Sequence, residues 1–321
     1  MKRVSILTTN QSIIAAIGNS RYMFTKVNEW LEGSGRPAVF ETKLVGQTRE
    51  IILDKGMYSI KTDALLSEVH ETDLIIIPPM TGEMETAIEK NKEYIQWIKK
   101  QYEKGAEVAS LCVGAFILAE TGLLDGKECS THWNTQYEFK RKFPKVNLID
   151  YKIITDNKGL YTSGGANSYW NLLIYLVQKF TFRDIALYTA KYFEIEIDRD
   201  NQLPFVFFEG YKRHADETIL DAQMYIEQHF TEKLTIEFLS EKYALSTRSF
   251  QRRFKQATQE TVYKYLQKVR IEAAKKLLES GSFQIDEIMY DVGYNDPQAF
   301  REVFKKNTGI TPIAYRKRYN S

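Results

Sequence analysis

Apolar residues in the first half of the chain follow two alternating patterns. Residues 4–8 and 39–45 read as short strands, and Leu74-Ile75-Ile76-Ile77 is a continuous apolar run stopped by Pro78-Pro79. An unbroken run of this kind suits a parallel strand buried on both faces. Between the strands the spacing becomes helical. Residues 13–31 read as a helix ended by Gly33-Ser34-Gly35, and residues 85–104 as a second, with Ile88, Ile95 and Ile98 on one face and Gly105 as its stop. A strand at 108–111 and a helix beginning at Phe116 follow. Residues 151–155 and 160–163 then flank the turn Asp156-Asn157-Lys158-Gly159, and helices are expected at 166–180 and 183–192. Strand–helix alternation predicts an α/β unit whose mainly parallel sheet carries helices on both faces.

Beyond residue 193 the pattern changes. Residues 194–215 show no clear period and contain Asp198, Asp200, Asn201 and Pro204, so they are expected to be a linker. Residues 216–321 carry almost no strand signal. Helices are expected at 219–229, 235–243, 247–258, 263–279, 285–292, 296–307 and 313–319. The longest has Leu266, Val269, Ala273 and Leu277 as an apolar stripe at helical spacing. The chain thus reads as an α/β domain at 1–193, a linker and an all-α domain.

The all-α part repeats itself with an offset of fifty residues: Phe250, Phe254 and Lys255 match Phe300, Phe304 and Lys305, and Thr258, Thr261 and Tyr265 match Thr308, Thr311 and Tyr315. Each copy is an apolar-faced helix, a tight turn and a second helix, the arrangement of a helix-turn-helix. The turns are Ala244-Leu245-Ser246 and Gly293-Tyr294-Asn295-Asp296, with Ser246 or Thr247 and Asp296 as N-caps. With the phenylalanines inward, Arg248, Gln251, Arg252 and Lys255 face outward in the first copy, and Pro297, Gln298, Arg301 and Glu302 in the second. Arginine can donate two bonds to guanine, and glutamine can pair with adenine, in the major groove.

Three segments make this part similar to AraC-type DNA-binding domains: Ile285-x-x-Ile288-x-x-x-Val292-Gly293-Tyr294, then Phe300-x-x-x-Phe304-Lys305-Lys306, then Gly309-Ile310-Thr311-Pro312-x-x-Tyr315-Arg316. The resemblance implies two helix-turn-helix units joined by the long central helix. It puts Arg248, Gln251 and Arg252 where the first recognition helix reads bases, and Gln298 and Arg301 where the second does. Glu302 departs from the family, which commonly has a basic residue there. Charge agrees with double-stranded DNA as partner. Residues 247–321 hold 15 Lys+Arg against 8 Asp+Glu, whereas the first 212 residues hold 26 against 27. A basic end is what phosphate binding requires.

One constellation in the first half points to chemistry. Val108-Ala109-Ser110-Leu111-Cys112-Val113-Gly114-Ala115 has the layout of a nucleophile elbow, a strand running through a Gly-containing turn into a helix. A cysteine there is biased toward thiolate by the helix dipole, and His132 is the candidate base. Ser163-Gly164-Gly165-Ala166, between a strand and a helix, is placed to lend backbone N–H groups to the same pocket.

The segment 111–133, with Ala119-Glu120-Thr121-Gly122-Leu123-Leu124-Asp125-Gly126, resembles the ThiJ/PfpI-like domains of the class I glutamine-amidotransferase-like superfamily. It is most similar to those fused to AraC-type domains, often called GlxA-like. The resemblance extends over residues 4–192. It implies a flavodoxin-like parallel sheet used for sensing and dimerisation. Enzymes of the superfamily pair the cysteine with His and place a Glu on the helix after the first strand, but residues 8–28 contain no acid. The usual Gly-Gly of the oxyanion site is replaced by Pro78-Pro79-Met80, and proline has no N–H to donate. Val113 stands where peptidase-like members carry His.

With 321 residues, 43% of them hydrophobic, the chain can bury one large core and one small one. Met1-Lys2-Arg3 leads straight into an alternating run, with no signal-peptide pattern, and no apolar stretch approaches the roughly 18 residues a membrane span needs. Two cysteines, Cys112 and Cys129, point to reduced thiols and a cytoplasmic location, and no Cys/His spacing suggests a metal. The expectation is therefore a DNA-binding transcription regulator without cofactor. A small-molecule effector is expected at Cys112, Val113, His132, Ser163 and Gly164, a homodimer through the first domain, and DNA contacts from Arg248, Gln251, Arg252, Lys255, Gln298, Arg301 and Lys305. The competing reading is a cysteine-dependent hydrolase or amidase, or a redox sensor, using Cys112.

Overall fold

The apolar run Leu74–Ile77 is the middle strand of a seven-stranded sheet, and each of its four residues is buried. The structure is a computed structural model that describes residues 1–320 except Asp198, Asp200 and Ser282; those two linker aspartates thus lie outside the described residues. The chain divides into two units, Met1–Gln202 and Leu203–Ser321. The segment expected as a linker is shared between them.

The first unit runs β1 (Lys2–Leu7), α1 (Ile14–Gly33), β2 (Phe40–Gly46), β3 (Glu50–Leu53), β4 (Tyr58–Lys61), β5 (Ala64–Leu65), β6 (Leu74–Ile77), α2 (Met84–Lys90), α3 (Lys92–Glu103) and β7 (Glu107–Ser110). It continues with α4 (Ala115–Glu120), β8 (Glu128–Cys129), α5 (Gln136–Lys142), β9 (Asn147–Leu148), β10 (Ile154–Asp156), β11 (Leu160–Ser163), α6 (Ser168–Phe180) and α7 (Arg183–Tyr192). The main sheet has the order β10-β11-β7-β6-β1-β2-β5 and is parallel except for β10 at one edge. Two apolar clusters cover it. Residues from α2, α3 and α4 pack on one face, with Ile75 and Ile77; those from α1, α6 and α7 pack on the other, with Leu74 and Ile76. The alternation of that run between the two clusters is the period-two geometry of a strand buried twice.

Among the features that differ from the sequence reading are β5, the small β8–β9 pair and the two that follow. The expected helix over 85–104 is broken between α2 and α3 at Asn91. That side chain is buried: its Nδ2 donates to Ala87 O at 2.7 Å, and its Oδ1 accepts from the Asn10 amide at 2.8 Å. The side chain competes with the helix backbone and ties the break to the loop after β1. The β3–β4 hairpin was not anticipated either. It is a separate two-stranded piece whose outward residues obscure the alternation.

Among its described residues the second unit is helical: α8 (Glu217–Gln228), α9 (Ile236–Lys242), α10 (Thr247–Thr258), α11 (Val262–Ser280), α12 (Ile285–Asp291), α13 (Pro297–Thr308) and α14 (Pro312–Tyr319). It has two cores. Phe250, Phe254, Val262, Tyr265 and Leu266 belong to the first, and Ile271, Ala274, Leu278, Phe300, Phe304 and Tyr315 to the second. α11 serves both. The deepest residues of its second half are therefore Ile271, Ala274 and Leu278, while the expected stripe at Val269, Ala273 and Leu277 is only half-buried. A helix with cores on two sides cannot have a single apolar stripe.

The fifty-residue repeat holds in atomic detail. Phe254 meets Tyr265 edge-on at 5.3 Å and 88°, and Phe304 meets Tyr315 at 5.5 Å and 83°. Thr258 and Thr308 each return a hydroxyl bond to the carbonyl four residues back, at 2.7 and 2.9 Å. Both tyrosine hydroxyls donate to a carboxylate, Glu227 at 2.5 Å and Glu279 at 2.7 Å.

Candidate functional site

The elbow forms where β7 ends. Cys112 has a φ of +54°, the left-handed region that a non-glycine residue enters only when its surroundings hold it there. The surroundings are tight. A Cβ added to Gly114 would lie 2.8 Å from Ile77 O and 2.9 Å from Pro78 O, so only glycine lets the turn press against the end of β6. The Cys112 amide donates to Ser163 Oγ at 3.0 Å, and Thr131 Oγ1 donates to Cys112 O at 3.2 Å.

This packing opposes catalysis. Cys112 is 5% exposed, and burial pushes its thiol up to about 12. The thiolate expected from the helix dipole is thereby corrected: desolvation wins, with only the Val113 amide acting the other way. The Cys112 and Gly114 amides are spent on Ser163 Oγ and Leu111 O (2.8 Å). His132 is not joined to Cys112 by a hydrogen bond. Its Nδ1 accepts from the Asn134 amide at 3.1 Å, which leaves the proton on Nε2, and burial holds its pKa below the usual range. On α1, whose acids Glu29 and Glu32 lie only toward its far end, Asn19 donates to Tyr169 OH at 2.7 Å.

Ser163 ends β11 and accepts from the Cys112 amide of the elbow, and Gly164 follows it. The Gly164 amide is used by Ile153 O at 2.8 Å. Gly165 does lend its N–H, to the side chain of Gln202 at 3.0 Å. Gln202 was not anticipated. It is 1% exposed, and it falls in an aperiodic segment where no pattern marks it. A cleft of about 460 Å³ in this unit is lined by Gln47, Leu66, His70 and Trp97 and by none of the elbow residues.

In the second unit, α10 and α13 are the second helices of the two repeats. Ser246 caps α10 by accepting from the Ser249 amide, and Asp296 caps α13 by accepting from the Ala299 amide at 2.8 Å. Arg248, Gln251, Arg252 and Lys255 are exposed on α10, and Gln298, Arg301, Lys305 and Lys306 on α13. Two neighbours are diverted. Arg253 binds both oxygens of Asp216, at 2.6 and 2.9 Å, and holds that carboxyl below the usual range. Glu302 accepts from Gln298 Nε2 at 3.0 Å, one helical turn away.

The family model described as DJ-1/PfpI family matches residues 13–179, and the one described as helix-turn-helix domain matches residues 239–318. The HTH-type transcriptional regulator GbdR of Pseudomonas aeruginosa is 22% identical over 268 residues, which cover 82% of this chain and 71% of that protein. The HTH-type transcriptional regulator GlxA of Rhizobium meliloti is 23% identical over 68% of this chain and 67% of its own. Among solved structures, an AraC family transcriptional regulator from Pseudomonas putida superposes with a TM-score of 0.52 at 16% identity, covering 60% of this chain and 100% of that one. That last likeness shows the fold alone. More than half of its residues match the DJ-1/PfpI model, so the chain belongs to the DJ-1/PfpI family, and it carries after that domain a helix-turn-helix region of the AraC type.

Proposed function

We propose that the protein is a cytoplasmic transcription regulator that binds double-stranded DNA through α10 and α13 and uses its DJ-1/PfpI domain as a non-catalytic sensor and homodimerisation domain. The observation that carries the DNA reading is the duplicated unit whose second helices expose Arg248, Gln251, Arg252 and Lys255, and Gln298, Arg301 and Lys305. The names of the regulators it resembles support the same reading. The non-catalytic reading is supported by the buried, protonated Cys112, the committed amides and the absence of any acid from residues 8–28. Among the described residues no helix is long and apolar enough to cross a membrane. The proposed effector region is the elbow with Cys112, Val113, His132, Ser163 and Gly164.

The test is a comparison of three arginines on one helix. Arg248→Ala and Arg252→Ala should each cost about 1–3 kcal/mol at a cognate operator and relax base preference at one position. Arg253→Ala removes a charge from the same helix but, tied to Asp216, should leave base preference as it is. Equal relaxation in all three variants, or none in the first two, would remove α10 as the reading helix.

A further inference from the structure

The residue that seals the elbow region comes from the last position of the first unit. Gln202 Oε1 accepts from the Gly165 amide at 3.0 Å, and its Nε2 donates to Thr131 O at 3.1 Å and to Asp150 O at 3.1 Å. The main chain is held independently: the Gln202 amide donates to Tyr151 O at 2.8 Å. The side-chain amide is therefore not needed to keep the segment in place. It occupies a space whose three polar walls are all backbone.

Those walls define a chemistry. Two carbonyl oxygens require donors, and one N–H requires an acceptor. A primary carboxamide supplies two N–H groups and one C=O in that arrangement. A carboxylate would set an oxygen against two carbonyls, and an ammonium would face the Gly165 N–H with another donor. Leaving buried groups of this kind unmatched is unfavourable, so discrimination is built into the backbone. The floor of the space is equally specific. A Cβ on Gly164 would lie 2.9–3.0 Å from the amide atoms of Gln202, so glycine alone leaves room for a carboxamide there. The buried Ser168 hydroxyl, three residues beyond Gly165, has no hydrogen-bond partner among the described residues.

We propose that Gly165 N–H, Thr131 C=O and Asp150 C=O form a subsite for a primary carboxamide, which Gln202 fills as a tethered occupant and which a carboxamide-bearing effector takes in its place. This rests on the sensor reading above and gives it a ligand class. The exchange also has a route to the DNA-binding half. Gln202 is joined directly to Leu203, the first residue of the second unit, so an effector that displaces the side chain acts at the junction itself.

The test uses the full chain and acetamide, which restores the atoms that Gln202→Ala removes. Acetamide should raise the melting temperature of Gln202→Ala saturably, as a ligand that binds only the folded state does. Acetate should not, and wild type should respond to acetamide only at higher concentration, because the tethered Gln202 amide competes for the subsite. The double variant Gln202→Ala/Gly164→Ala should lose the response, because the new methyl group fills the subsite. No saturable rise, an equal rise with acetate, or the same rise in wild type at the same concentration would overturn the proposal. If Gln202→Ala does not fold, Gly164→Ala alone serves: by expelling the amide it should speed hydrogen exchange at Gly165 N–H at least tenfold, and unchanged protection would refute the subsite. Operator affinity separates the two readings. Acetamide binding to Gln202→Ala with no change in operator affinity supports the subsite and removes the sensor reading; no acetamide binding removes the subsite alone.

Discussion

Cys112 combines two properties that ordinarily part company. Its left-handed backbone is that of an exposed nucleophile, while its thiol is buried and pushed up to about 12. At pH 8 a group with that value is ionised to the order of one part in ten thousand, far less than a free cysteine. A thiol reagent at pH 8 should therefore modify native protein only as fast as the first unit opens, with Cys112 and Cys129 appearing together. Rapid, selective labelling of Cys112 in the folded protein would contradict this and revive a redox role. Cys112→Ala should leave folding and operator binding close to wild type, and steady turnover of an amide or ester that disappears in this variant would overturn the non-catalytic reading. Asp216 gives a second test at this scale. It caps α8 through the Ile219 amide and binds Arg253, and both lower its pKa. A depressed carboxyl contributes stability above the unfolded value of about 4 and loses it as pH falls through the folded value. Asn can still cap, so Asp216→Asn isolates the charge. Its deficit in urea midpoint against wild type should be present at pH 7 and shrink toward pH 3. A deficit independent of pH would mean that the ion pair contributes nothing.

The two helix-turn-helix turns are the same element built with different residues. Ala244 and Gly293 both take positive φ, +50° and +82°, and both donate to the carbonyl three residues back at 3.0 Å. Left-handed backbone costs alanine roughly 1–2 kcal/mol that glycine does not incur. Ala244→Gly should thus stabilise the second unit by up to about 1 kcal/mol. Gly293→Ala should destabilise it by more than that, because the new Cβ would also meet Thr231 O at 2.8 Å. Opposite signs in matched denaturant titrations are expected; the same sign for both would show that the turns are not equivalent. This repeat also marks what the sequence made legible. Phe250, Phe254 and Tyr265, echoed fifty residues later, are large buried groups at helical spacing, and periodicity reports those directly. The run Leu74–Ile77 was legible for the same reason. The break at Asn91 was not, because a buried side chain meeting the loop after β1 is a contact between residues 81 positions apart. Gln202 was hidden in the same way: its partners Thr131 and Asp150 lie 71 and 52 residues back, and its own surroundings have no period. The elbow could be located from its Gly-containing turn, but its state could not, since burial of the thiol is a property of the whole packed sheet.

At the scale of the whole molecule, charge and architecture are divided between the two units. The first 212 residues are nearly neutral, and the excess of 15 basic over 8 acidic residues lies between residue 247 and the end. Affinity for any duplex should therefore come from the second unit and fall steeply with salt as displaced counterions return. Register has a different origin. The two helix-turn-helix units share α11, whose 19 residues extend about 28 Å at 1.5 Å per residue, close to the 34 Å of one turn of duplex. A helix that supplies residues to both cores cannot lengthen or swivel without opening one of them. The spacing between the two recognition helices is accordingly fixed, and α10 and α13 should meet successive major grooves on one face of the DNA. Inserting 5 base pairs between the two half-sites should reduce the salt-resistant, sequence-specific part of binding to that of the first half-site alone. Inserting 10 base pairs restores the face but not the distance, and should fail equally. Recovery at 10 base pairs would show that the two units move independently, and the shared central helix would then not be what sets the operator. Glu302 adds an asymmetry to this. Its carboxylate is held by Gln298 on the exposed side of α13, so on the proposed reading the second half-site would be met by a helix carrying one acid among its cations. Glu302→Ala should release Gln298 and strengthen binding at every sequence, most at low salt. A change confined to one base pair, with no general gain, would show instead that Glu302 accepts a hydrogen bond from a cytosine.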